Sequence, residues 1–170
     1  RVPAPLVRAA LRELAARALL RAAPCDPPAL TEEGRRQAAG ILRRHRLSER
    51  LLTDILGIPW ERAHEEAMRY EHTMTAEGEA RLAAMLEHPE TCPHGAPIPE
   101  RNGGPTGGPA TTLDRLPPGA QAWIRQVGEE EASFLHYLAS LGLLPRAEVR
   151  VEEVAPFGGP LLVRVGASQY

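Results

Sequence analysis

Seven of the eleven residues in the stretch 99–109 are glycine or proline. No regular element runs through such a stretch, because proline donates to neither ladder and glycine loses the most freedom on being ordered. Regular structure must therefore be built on either side of it, with the stretch as a flexible tether. The two sides have different textures. Upstream, apolar residues recur at helical spacing; downstream, residues 120–127, 148–154 and 161–165 alternate like strands around a short helix at 130–141. The pattern predicts an α+β chain in which helices are followed by a small β-barrel, with residues 157–160 as a turn and the closing strand beyond Tyr170.

Four helices are expected before the tether. In residues 4–21, Val7, Ala10, Leu11, Leu14 and Ala18 form one stripe, with Arg8, Arg12 and Arg17 off it. This helix starts almost at the first residue, so its apolar face is expected either to have partners outside the sequence or to pack elsewhere in the chain. A proline-broken connection follows at 23–28. Thr31 is an N-cap residue with Glu32 and Glu33 at the positive helix end, opening a helix that reaches about residue 55 and stops at Gly57. Pro59 suits the first turn of a third helix over 59–73, and Thr75 caps a fourth that stops before Pro89. Leu51, Leu52, Ile55, Leu56 and Trp60 are more apolar surface than so thin a bundle covers, and are read as a dimer surface.

Composition removes several classes. Two cysteines, Cys25 and Cys92, make neither a disulfide framework nor a four-cysteine zinc site. No apolar run has the length of a membrane span, and the start lacks a secretory signal pattern, so a cytoplasmic protein is expected. The net charge is −2 and all 20 basic residues are arginine. Five of those arginines precede residue 22, whereas glutamates dominate from Glu61 to Glu90. A basic end on an acidic body permits DNA binding without requiring it.

Chemistry concentrates in two runs. His45 and Glu49 are four apart and share a helix face. On the helix expected over 59–73, His64, Met68, Glu71 and His72 fall within an arc of about 100°, so one face presents all four. Nitrogen, oxygen and sulfur donors together suit a divalent transition metal better than calcium or magnesium. The plainer alternatives are solvated His–Glu pairs and a core methionine. A zinc protease does not fit, because position 68 is methionine where the second histidine of that motif would stand.

Taken together, LTEEGRRQA (30–38), RRHRLSERLLTDILG (43–57), WERAHEEAMRYEH (60–72) and CPHGAPIP (92–99) resemble the diphtheria toxin repressor family of iron- or manganese-dependent repressors. LASLGLLP (138–145) and APFGGPLLVRVG (155–166) look like the SH3-like barrel of that family. The resemblance implies a partial winged helix-turn-helix at 1–30, an all-α metal-binding and dimerisation domain at 31–98, a linker at 99–112 and the barrel at 113–170. By the same resemblance His45, Glu49 and His64 match an ancillary metal site, to which Glu130 adds a barrel carboxylate, with Glu129 and Glu131 as rivals. Met68, Glu71 and His72 match the primary, activating site. Met68 stands where iron-type members have cysteine and manganese-type members glutamate. Pro5, Leu6, Arg8 and Ala9 match DNA-facing positions of the recognition helix, and Ala18 replaces a family glycine. Cys92 and His94 fall in a structural turn and are given no role; His136 and Tyr137 are read as packing or surface.

These readings imply a homodimeric repressor that is no enzyme, binds Mn2+ or Fe2+ at two sites per subunit, and grips a palindromic operator, with no membrane or small-molecule substrate involved. The alternatives are a dimeric interaction module without DNA binding and a metal-dependent hydrolase, which needs an open coordination position and a base.

Overall fold

The structure, a computed structural model, describes residues 3–21, 27–101, 108–128 and 131–170. It forms two compact units: Arg1–Arg43 with Pro99–Pro105, and Arg44–Ile98 with Thr106–Tyr170.

In the first unit, α1 spans Ala4–Ala16 and buries no residue. It ends earlier than its apolar stripe suggests. Arg17 and Ala18 close it, with Leu19 N–H returning to the Leu14 carbonyl (2.9 Å) and Ala18 at φ +55°. The left-handed position that ends a helix favours glycine, and alanine occupies it here. Pro5, Leu6, Arg8 and Ala9 all lie on the exposed surface of α1. Leu20 pairs with Leu30 in an isolated antiparallel bridge. Thr31 caps α2 as its sequence predicts: its Oγ1 accepts from Gly34 N–H (3.0 Å) and donates to the Ala18 carbonyl (2.8 Å).

Helix α2, Glu32–Arg50, continues into a π-helical turn at Leu51–Ile55 before Gly57, at φ +66°. Wider turns of this kind often mark functional sites, and this one begins two residues after Glu49. Helix α3 is shorter than expected, Trp60–Ala67. Beyond it the backbone makes tight turns, with Tyr70 N–H on the Ala67 carbonyl and Thr73 N–H on the Tyr70 carbonyl. Arg44 Nε donates to the Glu71 carbonyl (2.7 Å) and fastens the turns that follow the helix. Helix α4, Ala76–Met85, carries the expected cap, Thr75 accepting from Gly78 N–H at 3.1 Å. Leu47, Leu82, Ala83 and Ile98 form the core against which Leu51, Met74 and Leu86 pack. Of the five residues read as a dimer surface, Ile55 and Leu56 are exposed, but Leu52 is 3% exposed and already covered within the chain.

The sheet has the order β1-β2-β3-β4, all neighbours antiparallel, with strands Gln121–Trp123, Glu148–Val154, Leu161–Val165 and Ser168–Gln169. The sequence alternation gave β2 and β3 correctly and missed β4. It overextended β1, which stops where its partner does, at the pair Trp123–Glu148. Val127 N–H turns away from the sheet to the His94 carbonyl (2.9 Å). Helix α5 spans Ala132–Ser140, and its Leu135 is buried, as are Val149, Val151 and Val163 of the sheet. Among the described residues, no helix is long and apolar enough to cross a membrane.

Candidate metal centre

The four-residue spacing of His45 and Glu49 on α2 puts both side chains on one face, and the fold turns that face inward: both are buried. His64 comes to them from α3. Its Nδ1 lies 3.0 Å from His45 Nε2 and 3.5 Å from Glu49 Oε1, while His45 Nε2 is 3.2 Å from the same carboxylate oxygen. Donors around one ion with bonds of roughly 2.1 Å stand about 3.0–3.4 Å apart, whether tetrahedral or octahedral. The three atoms therefore have the spacing of a coordination shell and fit a divalent transition metal.

His45 is oriented from behind. Its Nδ1 lies 2.6 Å from Glu71 Oε2, so the proton on that nitrogen goes to the carboxylate and Nε2 faces Glu49 and His64. Glu71 reaches this position because Arg44 holds its carbonyl. Arg44 also approaches the buried Glu79, 3.8 Å away. The other Glu71 oxygen lies 3.0 Å from His72 Nε2. Glu71 and His72 are thus brought together, but Met68 caps α3 with more than half its surface exposed. The expectation that one helix face carries positions 64, 68, 71 and 72 is corrected, since the helix has ended by Met68.

Cys92 and His94, given no role from the sequence, belong to this centre. They sit in a turn closed by Cys92 N–H to the Ala96 carbonyl (2.8 Å) and Gly95 N–H to the Cys92 carbonyl (2.9 Å). Arginines on α2 fasten that segment: Arg50 Nε donates to the Thr91 carbonyl (2.7 Å) and Arg46 to the Pro97 carbonyl. His94 Nε2 bonds the Trp60 carbonyl (2.9 Å), so Nδ1 faces Glu49 Oε1 at 3.3 Å and Cys92 Sγ at 3.9 Å. Glu49, Cys92 and His94 are each 3% exposed or less, and their donor atoms are close enough to hold an ion. A cysteine and a histidine two apart in a Pro/Gly turn were the signal available, but nothing in their spacing pointed to Glu49.

The electrostatics follow from burial and pairing. Burial works against charge on His94, but Cys92 and Glu49 outweigh it and raise the imidazole to about 10. Burial likewise opposes the charged form of His45; the bonds and charges of Glu49 and Glu71 nevertheless lift it above its ordinary value. Glu49 is held well below the carboxylate range: burial raises it, and the imidazoles of His45 and His94 more than reverse that. The metal-free centre is therefore a buried carboxylate between imidazolium groups, which an ion must deprotonate to enter.

Of the barrel carboxylates, Glu130 and its rival Glu129 lie outside the described residues. Glu131 is the N-cap of α5, accepting from Ser133 N–H (3.1 Å) and its hydroxyl. His136, exposed, meets Glu61 of α3 at 3.5 Å.

Comparison with known proteins bears on this geometry. The sequence profile of the iron dependent repressor metal binding and dimerisation domain matches residues 31–100, and that of the FeoA domain matches residues 111–170. The iron-dependent repressor IdeR of Mycobacterium tuberculosis is 40% identical over 160 residues, covering 87% of this chain and 69% of its own length. The chain belongs to the iron-dependent repressor family. In three dimensions it resembles a manganese-dependent transcriptional repressor solved in complex with manganese (TM-score 0.90, 32% identity, 98% of this chain and 77% of the other). IdeR of T. acidophilum is also similar (TM-score 0.83, 33% identity, 99% and 78%). The likeness runs through α1, the metal-centre helices and the barrel alike.

Proposed function

We propose that this member of the family is a homodimeric transcriptional repressor activated by Mn2+ or Fe2+. The observation that carries the reading is the convergence of the half-buried His64, through Nδ1, on the buried His45 Nε2 and Glu49 Oε1, all within 3.5 Å of one another. His45, Glu49 and His64, with Glu130, are assigned the ancillary site; Met68, Glu71 and His72 are assigned to the activating site. Residues 1–30 are read as the partial DNA-binding domain, 31–98 as the metal and dimerisation domain, 99–112 as linker and 113–170 as the barrel.

A bound divalent cation supplies the free energy that ties these side chains into one arrangement. The remaining work falls to the chain. Glu71 and the Trp60 carbonyl hold the imidazoles in the ligating orientation. Ile55 and Leu56 offer apolar surface to a second copy. Pro5, Leu6, Arg8 and Ala9 present an apolar, singly charged face from α1, suited to reading groove shape and thymine methyl groups. A two-fold dimer places two such helices on half-sites about one helical turn apart. Metal alters operator affinity only if it favours the dimer geometry that matches this spacing.

The test is selection from a random duplex library by the full chain under anaerobic conditions. With Mn(II) or Fe(II), two-fold symmetric sequences are expected to be enriched at least tenfold over the same selection with chelator. Equal retention with and without metal would contradict the reading, and a dimer indifferent to DNA would favour the interaction module.

A further inference from the structure

One cavity in the second compact unit plays no part in the repressor reading. It has a volume of about 530 Å³, and Arg50, Glu90, Trp123, Arg125 and Arg146 are among the residues that line it. Sites for small organic molecules span roughly 300–1,000 Å³. We propose that this cavity binds a small aromatic carboxylate, its ring against Trp123 and its carboxylate on Arg146 and Arg125.

Three observations support the assignment. The first is backbone strain. In the turn 144–147, Ala147 N–H bonds the Leu144 carbonyl (3.0 Å), with Pro145 second and Arg146 third. Arg146 stands at φ +73°, a place that favours glycine when the turn has this form. Its N–H is tied to the Ile124 carbonyl (2.7 Å). Its guanidinium, among the described residues, has no hydrogen bond or ion pair. The strain therefore secures no polar contact within the fold, which is the pattern of a position kept for a ligand. The second is an aromatic surface. Trp123 is 67% exposed on the cavity wall, and an uncovered indole face stacks on another ring. The third is charge. Arg50 is already committed to the Thr91 carbonyl (2.7 Å) and to Asp54 (3.2 Å). Arg125 gives one N–H to the Gly108 carbonyl and keeps the others. Against Arg125 and Arg146 stands Glu90, the one carboxylate among the lining residues. One positive charge is left over, which matches a monoanion, and the arginine fork fits a planar carboxylate.

The experiment titrates naphthoate, acetate and naphthylmethanol into the full chain and follows the indole N–H resonances. Chelator is present throughout, so the outcome does not depend on the metal reading. Naphthoate should shift the Trp123 resonance but not that of Trp60, and bind about tenfold or more tightly than either control. Arg146→Gly should weaken naphthoate about tenfold yet melt no lower than wild type, because glycine fits the turn. Trp123→Ala should weaken it by a similar factor. Equal binding of naphthylmethanol would show an apolar cleft, and equal binding of acetate an unselective cationic patch; either overturns the proposal. So would undiminished naphthoate binding in Arg146→Gly, or a Trp123 resonance that naphthoate leaves unmoved.

Discussion

Gly95 is the position where one added methyl group should do the most damage. It sits at φ +85°, and a Cβ there would lie 2.0 Å from the Arg125 carbonyl oxygen and 2.8 Å from the Gln126 Cα. The obstacle is backbone and cannot rotate aside. Reaching even a tight contact of about 3 Å requires a shift of roughly 1 Å. That shift falls on the adjacent hydrogen bond from Val127 N–H to the His94 carbonyl, now 2.9 Å. For Gly95→Ala we add about 1–2 kcal/mol for alanine in the left-handed region and about 1 kcal/mol for the weakened bond. Reduced freedom of the unfolded chain returns about 0.5 kcal/mol, leaving a loss of roughly 1.5–2.5 kcal/mol. Because His94 is the neighbouring residue, metal affinity should also fall by about 10–100-fold. Urea unfolding of the metal-free protein and a Co(II) titration read the two effects separately. A stability change below about 0.5 kcal/mol (about a quarter of the value expected) with unchanged cobalt affinity would refute the claim that this close approach positions the turn.

Three other outcomes are expected. Ala18→Gly relieves a left-handed alanine at the end of α1 and should stabilise the protein by about 0.5–1 kcal/mol in calorimetry; destabilisation would contradict the strain. The raised His94 value stabilises the metal-free fold fully below the ordinary imidazole value of 6.5, an advantage lost as pH rises through about 10. The melting temperature without metal should therefore fall between pH 7 and 10, and a flat or rising profile would contradict the pairing. Arg44→Met removes the donor to the Glu71 carbonyl and the cation beside buried Glu79. It should cost about 2–4 kcal/mol by urea unfolding, part of it recovered by Glu79→Gln in the same chain; a loss under 1 kcal/mol would contradict the role given to Arg44.

Local signals were legible wherever one residue type forced one conformation. Thr31 and Thr75 cap the helices their positions announced, and β2 emerged from strict alternation because Val149 and Val151 must face inward together. The pairing of His45 with Glu49 was legible because both lie on one uninterrupted helix. What depended on contacts distant in sequence was not. Helix α3 stops at Ala67, and the turns beyond it are held by Arg44, 27 residues before Glu71. Periodicity cannot report such a bond, so the arc through Met68 was drawn on a helix that had already ended. Cys92 and His94 meet Glu49 only through the arginines of α2 and the tight turn at Gly95. The meeting of His64 with His45 likewise came from family resemblance, not from spacing within either helix.

Pulsed electron paramagnetic resonance on Mn(II)-loaded protein tests the central claim most directly. The account predicts nitrogen couplings from two directly bound imidazoles, reduced in His45→Gln and again in His64→Gln. Manganese bound to the chain but surrounded only by water and carboxylate oxygen, with spectra unchanged in both variants, would contradict it.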